Sequence, residues 1–168
     1  MILDGGTIRL RPLTLDDADA WLAGEDDVMA RGFEFPRRST IDDVVGAING
    51  WIESWRHEGG VRKWAICDAA TGVIAGGVEL RPLGHGEVNL SYEVFPPWRR
   101  RGFAAKAAAL ALAYAAATMG ITRAKIKVLT DNHASLGVAR RLGAEYVGTE
   151  PSDRGATFAV FRCTLLRR

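Results

Sequence analysis

Apolar and polar residues alternate along short stretches of this chain, as they do in half-buried β-strands. The alternation is clearest over Thr7–Arg11 and over Glu87–Phe95, where asparagine, serine and glutamate take turns with leucine, tyrosine and valine. Shorter apolar runs bounded by turn residues predict five further strands. These are Lys63–Cys67, Val73–Val78, Arg123–Leu129, Tyr146–Gly148 and Thr157–Leu165.

Between the strands, apolar residues recur every three or four positions, which is the spacing of amphipathic helices. Capping residues mark where the helices begin, and glycines mark where they end. The predicted helices cover residues 14–24, 39–59, 103–119 and 132–142. The order β-α-α-β-β-β-α-β-α-β-β predicts an α/β fold, in which about four helices cover both faces of a mixed sheet of about seven strands.

The composition is that of one soluble globular domain, expected over residues 1–168. Of the 168 residues, 48% are hydrophobic and 25% are charged, and no linker or repeat divides them. The first residues have neither the charged nor the long apolar segment of an export signal. The stretch Ala104–Met119 is short for a membrane span and contains Lys106, so we expect a cytoplasmic protein with no membrane contact.

Charge and histidine spacing argue against other classes of protein. A formal net charge of +2 does not indicate nucleic acid, and binding through the Arg99–Arg101 cluster would be steeply salt-dependent. His57, His85 and His133 do not have the spacing of metal ligands, so no metal is expected. A homodimer is expected only because it is the commonest assembly.

The most informative segment joins the strand that ends at Phe95 to the helix that begins at Phe103. Two prolines break the strand, and the basic turn Arg99–Gly102 leads directly into the helix. The first N–H groups of a helix have no intrahelical partner and lie at the positive end of its dipole, so they attract phosphate oxygens. Gly102 and Ala104 let an anion approach the backbone, and arginine can hold phosphate through two hydrogen bonds. A solvated basic turn is the alternative.

Two familiar phosphate-binding motifs do not fit this segment. A P-loop requires Gly-Lys-Ser/Thr, and a dinucleotide fold requires three glycines with an acidic residue about 20 positions further on. Neither pattern is present here.

A second segment, Asp131–Ala144, follows a strand and forms a helix. Asp131 or Asn132 would cap it. Asn132 and Ser135 are three residues apart and therefore share the face at the helix start. For both residues, simple capping is the alternative to a functional role.

Together, the two segments resemble the GNAT superfamily of acyl-CoA-dependent N-acetyltransferases. Arg99-x-x-Gly102-x-Ala104 matches its pyrophosphate signature, Arg/Gln-x-x-Gly-x-Gly/Ala. The opening Ile8–Leu13 is similar to the branch that acetylates ribosomal-protein N-termini. So is Asn132-x-x-Ser135 followed by Arg141-Leu142-Gly143. The resemblance covers nearly the whole chain and implies the mostly antiparallel sheet of that fold.

The resemblance implies an acetyltransferase that uses acetyl-CoA as co-substrate and an amine as acceptor. The backbone amides of Arg100–Ala104 would hold the pyrophosphate. The main chain of Val94 would pair with the pantetheine arm, and Asn132 would contact the same arm. Ser135 would donate a hydrogen bond to the departing thiolate. The cofactor-binding residues implied are Val94, Arg99, Arg100, Arg101, Gly102, Phe103, Ala104 and Asn132.

One position departs from the family pattern. Ala139 stands where many relatives have a tyrosine that protonates the thiolate, so this step falls to Ser135 or to water. The attacking amine must also lose a proton. Glu93 is the candidate base, with a solvated strand carboxylate as its alternative role, and Glu79 is a second candidate. The N–H of Val94 is expected to polarise the thioester carbonyl.

The sequence does not define the acceptor. A few acidic residues either line a groove for a cationic amine or are solvated surface residues. They are Asp26, Asp27, Glu34 and the acidic start of the second predicted helix, Asp42 and Asp43. A protein N-terminus, an aminoglycoside, a polyamine and a small metabolite amine all remain candidates. An acyl-CoA-binding or sensing domain without turnover is the alternative function, and the alanine at position 139 favours it.

Overall fold

The computed structural model describes residues 1–58 and 60–165, and within them eight strands form one sheet. The strands are β1 Leu3–Asp4, β2 Ile8–Pro12, β3 Arg62–Asp68, β4 Ile74–Gly84, β5 Glu87–Val94, β6 Arg123–Leu129, β7 Glu145–Pro151 and β8 Thr157–Thr164. The α-helices are α1 Ala18–Gly24, α2 Asp27–Gly32, α3 Ile41–Ser54, α4 Phe103–Thr118 and α5 His133–Arg141. Single 3₁₀ turns at Leu15–Asp17 and Pro96–Trp98 come before α1 and α4.

The strands lie in the order β1-β2-β3-β4-β5-β6-β8-β7. All neighbours are antiparallel except β5 and β6, which are parallel and are connected by α4. A parallel pair needs such a crossover because the chain must return to the starting edge. The predicted α/β fold is confirmed. Among the described residues, the structure adds one strand, β1, and one helix, α2, to the predicted elements.

The two faces of the sheet carry separate hydrophobic clusters, as the alternation along β3 shows. Trp64 and Ile66 pack in a cluster with the alanines of α4, whereas Ala65 and Cys67 pack with α1 and α3 on the opposite face. Alanine-rich α4 can approach the sheet closely because its buried side chains are small. Burial of both faces explains why β3 reads as a continuous apolar run after its first two residues.

Within the part of the chain that is described, none of the helices combines the length and the hydrophobicity needed to cross a membrane. The same residues contain no group of three or more His, Cys, Asp or Glu side chains arranged to hold a metal ion. Cys67 and Cys163 are buried and free, and burial raises the pKa of both thiols.

Candidate active site

The two central strands of the sheet separate along their length. β5 and β6 pair over Glu87–Leu90 and Arg123–Ile126, and β5 then continues beside β4 to Val94. Just beyond it, the N–H of Phe95 donates to the carbonyl of Ala75 over 2.8 Å. Because backbone groups alternate between the two edges of a strand, Val94 directs its own N–H and C=O into the gap between β5 and β6.

The turn Arg99–Gly102 leads from β5 into α4. Arg100 and Gly102 have φ angles of +63° and +78°, and Gly102 is the N-cap residue of α4. A Cβ at Gly102 would meet no atom of the described residues within 4 Å, so the space beside the first helical turn is open. Left-handed residues in such a turn direct neighbouring N–H groups into a concave surface that binds anions.

The side chain of Arg99 is held by contacts within the protein. Its Nε donates to the Val94 carbonyl over 2.9 Å, and its terminal nitrogens donate to the Asp26 carboxylate over 2.7 and 2.8 Å. Asp26 also accepts from the N–H of Met29 over 3.0 Å and so caps α2. These bonds, chiefly those from Arg99, hold the pKa of Asp26 below its usual range. Arg99 therefore connects the end of β5 to the start of α2, a link that the sequence did not indicate.

The other predicted phosphate-binding residues differ in whether the side chain or only the backbone can reach a ligand. Arg100 and Arg101 are exposed, and the guanidinium of Arg101 lies 5.0 Å from the ring centroid of Trp98. The ring of Phe103 stacks on the ring of Trp98, with the two centroids 5.6 Å apart, and Phe103 is buried. Phe103 can therefore meet a ligand only through its backbone, as can the partly buried Ala104.

The first turn of α5 is fixed against β5. Asn132 Oδ1 accepts from the Ser135 N–H over 3.1 Å, which confirms Asn132 as the cap of α5 and leaves the Ser135 hydroxyl outside the cap. Tyr92 of β5 donates its hydroxyl hydrogen to the Ser135 carbonyl over 3.2 Å. Burial raises the pKa of Tyr92 to about 12, so it remains a donor at neutral pH. One turn further on, Ala139 is fully buried.

The alternative role of Glu93, that of a solvated carboxylate on a strand, does not agree with its burial. Glu93 is 6% exposed, and its Oε1 accepts from Nζ of Lys63, 4% exposed, over 2.5 Å. The Lys63 ammonium lies 5.0 Å from the ring centroids of both Trp21 and Trp51. Between these groups lies Gly77, where a Cβ would overlap the Glu93 carboxylate and approach Trp21 to 2.6 Å. A side chain at this position would therefore displace the Glu93 carboxylate or the Trp21 ring from the cluster.

The Lys63–Glu93 pair lies at the floor of a groove of about 580 Å³ on the α1 and α3 face of the sheet. Aromatic side chains form its walls, and polar side chains of β3, β4 and β5 form its floor. We call it the aromatic groove; its lining includes Trp21, Phe33, Phe35, Trp51, Lys63, Glu79, Asn89, Ser91 and Glu93. Asn89, Ser91 and Glu93, the polar residues that alternate with apolar ones along β5, thus line one cavity.

The acidic residues considered for amine binding are occupied by other groups. Besides Asp26, which bonds to Arg99, Asp27 pairs with Arg38 over 3.1 Å. Glu34 accepts from the Ser152 hydroxyl over 2.6 Å. Their partners are distant in sequence, so the sequence did not show these pairings. Asp27 is nevertheless solvated, with its side chain 90% exposed, and Asp43, at the acidic start of the second predicted helix, lines the groove. Lys63 was missed too, although a charged residue beside Ala65 and Cys67 on a buried face signals that it needs a partner.

Comparison with known proteins agrees with this arrangement. Residues 7–145 match the model of the family described as acetyltransferase (GNAT) domain. A relative from Bacillus subtilis, the uncharacterized N-acetyltransferase YoaA, is 26% identical over 150 residues, which cover 88% of this chain and 84% of the relative.

Two solved structures show how widely the fold is shared. RimL, a ribosomal L7/L12 alpha-N-protein acetyltransferase in complex with coenzyme A, has a TM-score of 0.88 and 16% identity, with 98% of each chain covered. The ribosomal-protein-S5-alanine acetyltransferase of Vibrio fischeri has a TM-score of 0.83 and 14% identity, covering 98% of this chain and 97% of its own. At such identities the likeness establishes the fold.

The family match covers most of the chain, so this protein belongs to the GNAT acetyltransferase family. The resemblance to the GNAT superfamily deduced from its two helix-start segments is confirmed, and the chain shares its fold with ribosomal-protein acetyltransferases.

Proposed function

We propose that this protein is a cytoplasmic N-acetyltransferase that moves an acetyl group from acetyl-CoA to a primary amine by direct attack in a ternary complex. The observation that carries the proposal is the gap between β5 and β6 beside the left-handed turn at the start of α4. Family membership supports acetyl transfer. The buried free thiols of Cys67 and Cys163 suit the reducing cytoplasm.

The turn fits the pyrophosphate of acetyl-CoA in donor chemistry and in open space. The backbone amides of Arg100–Ala104 would donate to phosphate oxygens, and the exposed guanidinium groups of Arg100 and Arg101 would add charge. Arg99 would act through its bonds to Asp26 and to the backbone of β5, which fix the start of the turn. When bound, acetyl-CoA supplies the acetyl thioester.

The remaining wall of the gap would hold the pantetheine arm. The Val94 carbonyl, which also accepts from Arg99 Nε, would accept from an amide N–H of the arm, as a strand edge pairs with an extended peptide. The Oδ1 of Asn132 is used in capping α5, so its amide NH₂ would donate to the arm. No metal takes part in this proposal.

Residues on the two sides of the gap would accept and donate the protons of the reaction. Glu93 would accept the proton of the acceptor ammonium, directly or through one water. Burial raises the pKa of Glu93, and Lys63 opposes that rise by favouring the carboxylate. Glu79, 8% exposed in the same groove, is the second candidate. The N–H of Val94 would donate to the thioester carbonyl, and the hydroxyl of Ser135 would donate to the departing thiolate.

The test is the release of free thiol from acetyl-CoA over a panel of primary amines, with the acetylated amine identified by mass spectrometry. The proposal predicts amine-dependent thiol release matched one-to-one by N-acetylated product. Binding of acetyl-CoA without turnover on any amine would support the sensing function instead. Thiol release at the same rate with and without amine would indicate hydrolysis and contradict the proposal.

A further inference from the structure

The charges around the aromatic groove restrict the amine that it can accept. Four carboxylates, those of Glu25, Asp43, Glu79 and Glu93, and three cations line it, which leaves one net negative charge. Three of the carboxylates already have partners. Asp43 pairs with Arg37 over 2.6 Å, Glu93 with Lys63 over 2.5 Å and Glu79 with Arg81 over 2.9 Å. The remaining negative charge can balance one further positive charge.

The cations at the mouth of the groove act against a second ammonium. Arg37 and Arg81 line the groove, and their side chains are 59% and 56% exposed. Each is balanced by its own carboxylate, so a second ammonium would have to compete with a guanidinium group for that partner. A polyamine or an aminoglycoside would bring several ammonium groups past these two guanidinium groups. Like charges that are brought together on binding cost affinity and serve to reject wrong partners.

The walls of the groove suit an apolar body. Phe33 and Phe35 stack with ring centroids 5.9 Å apart, and they are 37% and 36% exposed. Trp21 and Trp51 lie deeper, where their faces already pack against the ammonium of Lys63. Aromatic faces bind both hydrocarbon groups and cations. The volume of about 580 Å³ lies within the range of small-molecule sites.

The segment after α2 limits the groove on the side of β6 and β8. The Ser152 hydroxyl donates to the Glu34 carboxylate over 2.6 Å, and Arg154 donates to the Glu34 carbonyl over 2.7 Å. Arg31 also pairs with Asp131. These bonds tie the segment to the β7–β8 loop, and a separate hollow of about 360 Å³ lies beyond it. The groove therefore leaves less room for a long peptide than for a compact ligand.

We propose that the acceptor is a small primary amine that carries a single ammonium group on an apolar body about the size of an aromatic ring. The inference rests on the proposed function and adds the substrate class to it. The ammonium enters toward Glu93 and Glu25, the lining carboxylate whose charge no cation of the lining balances, and the apolar body packs against Phe33, Phe35 and Trp51. No second positive charge is accommodated.

The test compares kcat/KM for four acceptors at fixed acetyl-CoA: 2-phenylethylamine, spermidine, kanamycin and a hexapeptide with a free N-terminus. Phenylethylamine should exceed each of the others by about tenfold or more, which corresponds to one stacked aromatic contact. Phe33→Ala should raise its KM by about tenfold. Leu83→Ala, an exposed apolar residue near the far end of β4, is the matched control and should leave KM unchanged. Arg81→Gln should improve the use of spermidine relative to phenylethylamine.

A higher kcat/KM for spermidine, kanamycin or the peptide would overturn the substrate class and leave the proposed function intact. Calorimetry with acetyl-CoA on the same preparation separates the two claims further. If acetyl-CoA binds but none of the four amines is acetylated, the substrate class is wrong. If acetyl-CoA does not bind, both claims fail.

Discussion

At the scale of single residues, the Lys63–Glu93 pair shows how register creates a site. In register, Lys63 lies opposite Glu79, and Gly77 lies opposite Glu93. The lysine therefore reaches Glu93 diagonally across β4, over a glycine that leaves room for it. The side-chain types were visible in the sequence, but this contact depends on the pairing of three strands. The sequence pattern predicts each strand separately, but it does not show how the strands pair.

The first prediction concerns the pH dependence of Glu93. The groups that face it are Lys63, Glu79 and Glu25. As the base it must be ionised, so kcat/KM should fall on the acid side of its pKa. Lys63→Met removes the cation that lowers this pKa, so the acid limb should move to higher pH. Glu93→Gln should remove the limb and lower kcat/KM by about 100-fold.

The control for this prediction is Glu79→Gln, which changes the second carboxylate of the same groove. If Glu93 is the base, the acid limb should persist in Glu79→Gln. An unchanged pH–rate profile in Glu93→Gln would remove Glu93 from the mechanism, and loss of the limb in Glu79→Gln would assign the role to Glu79.

The second prediction separates catalysis from capping in α5. The Ser135 hydroxyl takes no part in the cap, so Ser135→Ala should lower kcat about tenfold and change stability by only about 0.5 kcal/mol. KM for acetyl-CoA should stay constant, because the lost interaction is made with the leaving thiolate. Asn132→Ala removes the cap itself and should cost about 1 kcal/mol of stability. A Ser135→Ala enzyme with unchanged kcat would contradict the assigned role.

At the scale of elements, most predicted helices and strands agree with the structure to within a few residues, and β6 agrees at both ends. The two missed elements are short: β1 has two residues and α2 has six. Neither is long enough to show a period. α2 depends on tertiary contacts, since its cap residue Asp26 is held by Arg99, which lies 73 residues further along the chain.

The third prediction concerns the junction between β2 and α1. Asp17 is buried, which acts to raise its pKa, but hydrogen bonds from Arg11 at 2.6 and 2.8 Å and from the Thr14 N–H at 2.8 Å outweigh burial and lower it. A lowered pKa gives stability that is present above the unfolded-state value of about 3.9 and is lost as pH falls below it. Asp17→Asn should therefore cost about 1–3 kcal/mol at pH 7.

The measurement is chemical denaturation of both proteins between pH 7 and pH 3. The stability difference between wild type and Asp17→Asn should shrink as the pH approaches 3. Exposed Asp16 provides the matched control, and Asp16→Asn should change stability little at any pH in this range. A difference for Asp17→Asn that stays constant with pH would show that the ion pair does not contribute.

At the scale of the whole molecule, the open gap between β5 and β6 is a place where ligand binding joins two halves of the sheet. A ligand present at 100 times its Kd stabilises the folded state by about 2.7 kcal/mol. For a domain of this size, acetyl-CoA at that concentration should raise Tm by about 5–10 °C. Acetyl-pantetheine, which lacks the pyrophosphate, should give a much smaller shift at equal concentration. Equal shifts would show that the turn at the start of α4 does not bind phosphate.

The central claim is that this turn grips the pyrophosphate of acetyl-CoA, and calorimetric titration of wild type, Gly102→Glu and Gly84→Glu tests it most directly. Both glycines have left-handed φ angles, +78° and +86°, and open space around them, so the two variants carry similar backbone strain and the same added charge. Gly84 precedes β5, and Gly102 follows it. Wild type and Gly84→Glu should bind acetyl-CoA with equal affinity, and Gly102→Glu should show no binding. Equal binding by all three proteins would contradict the account.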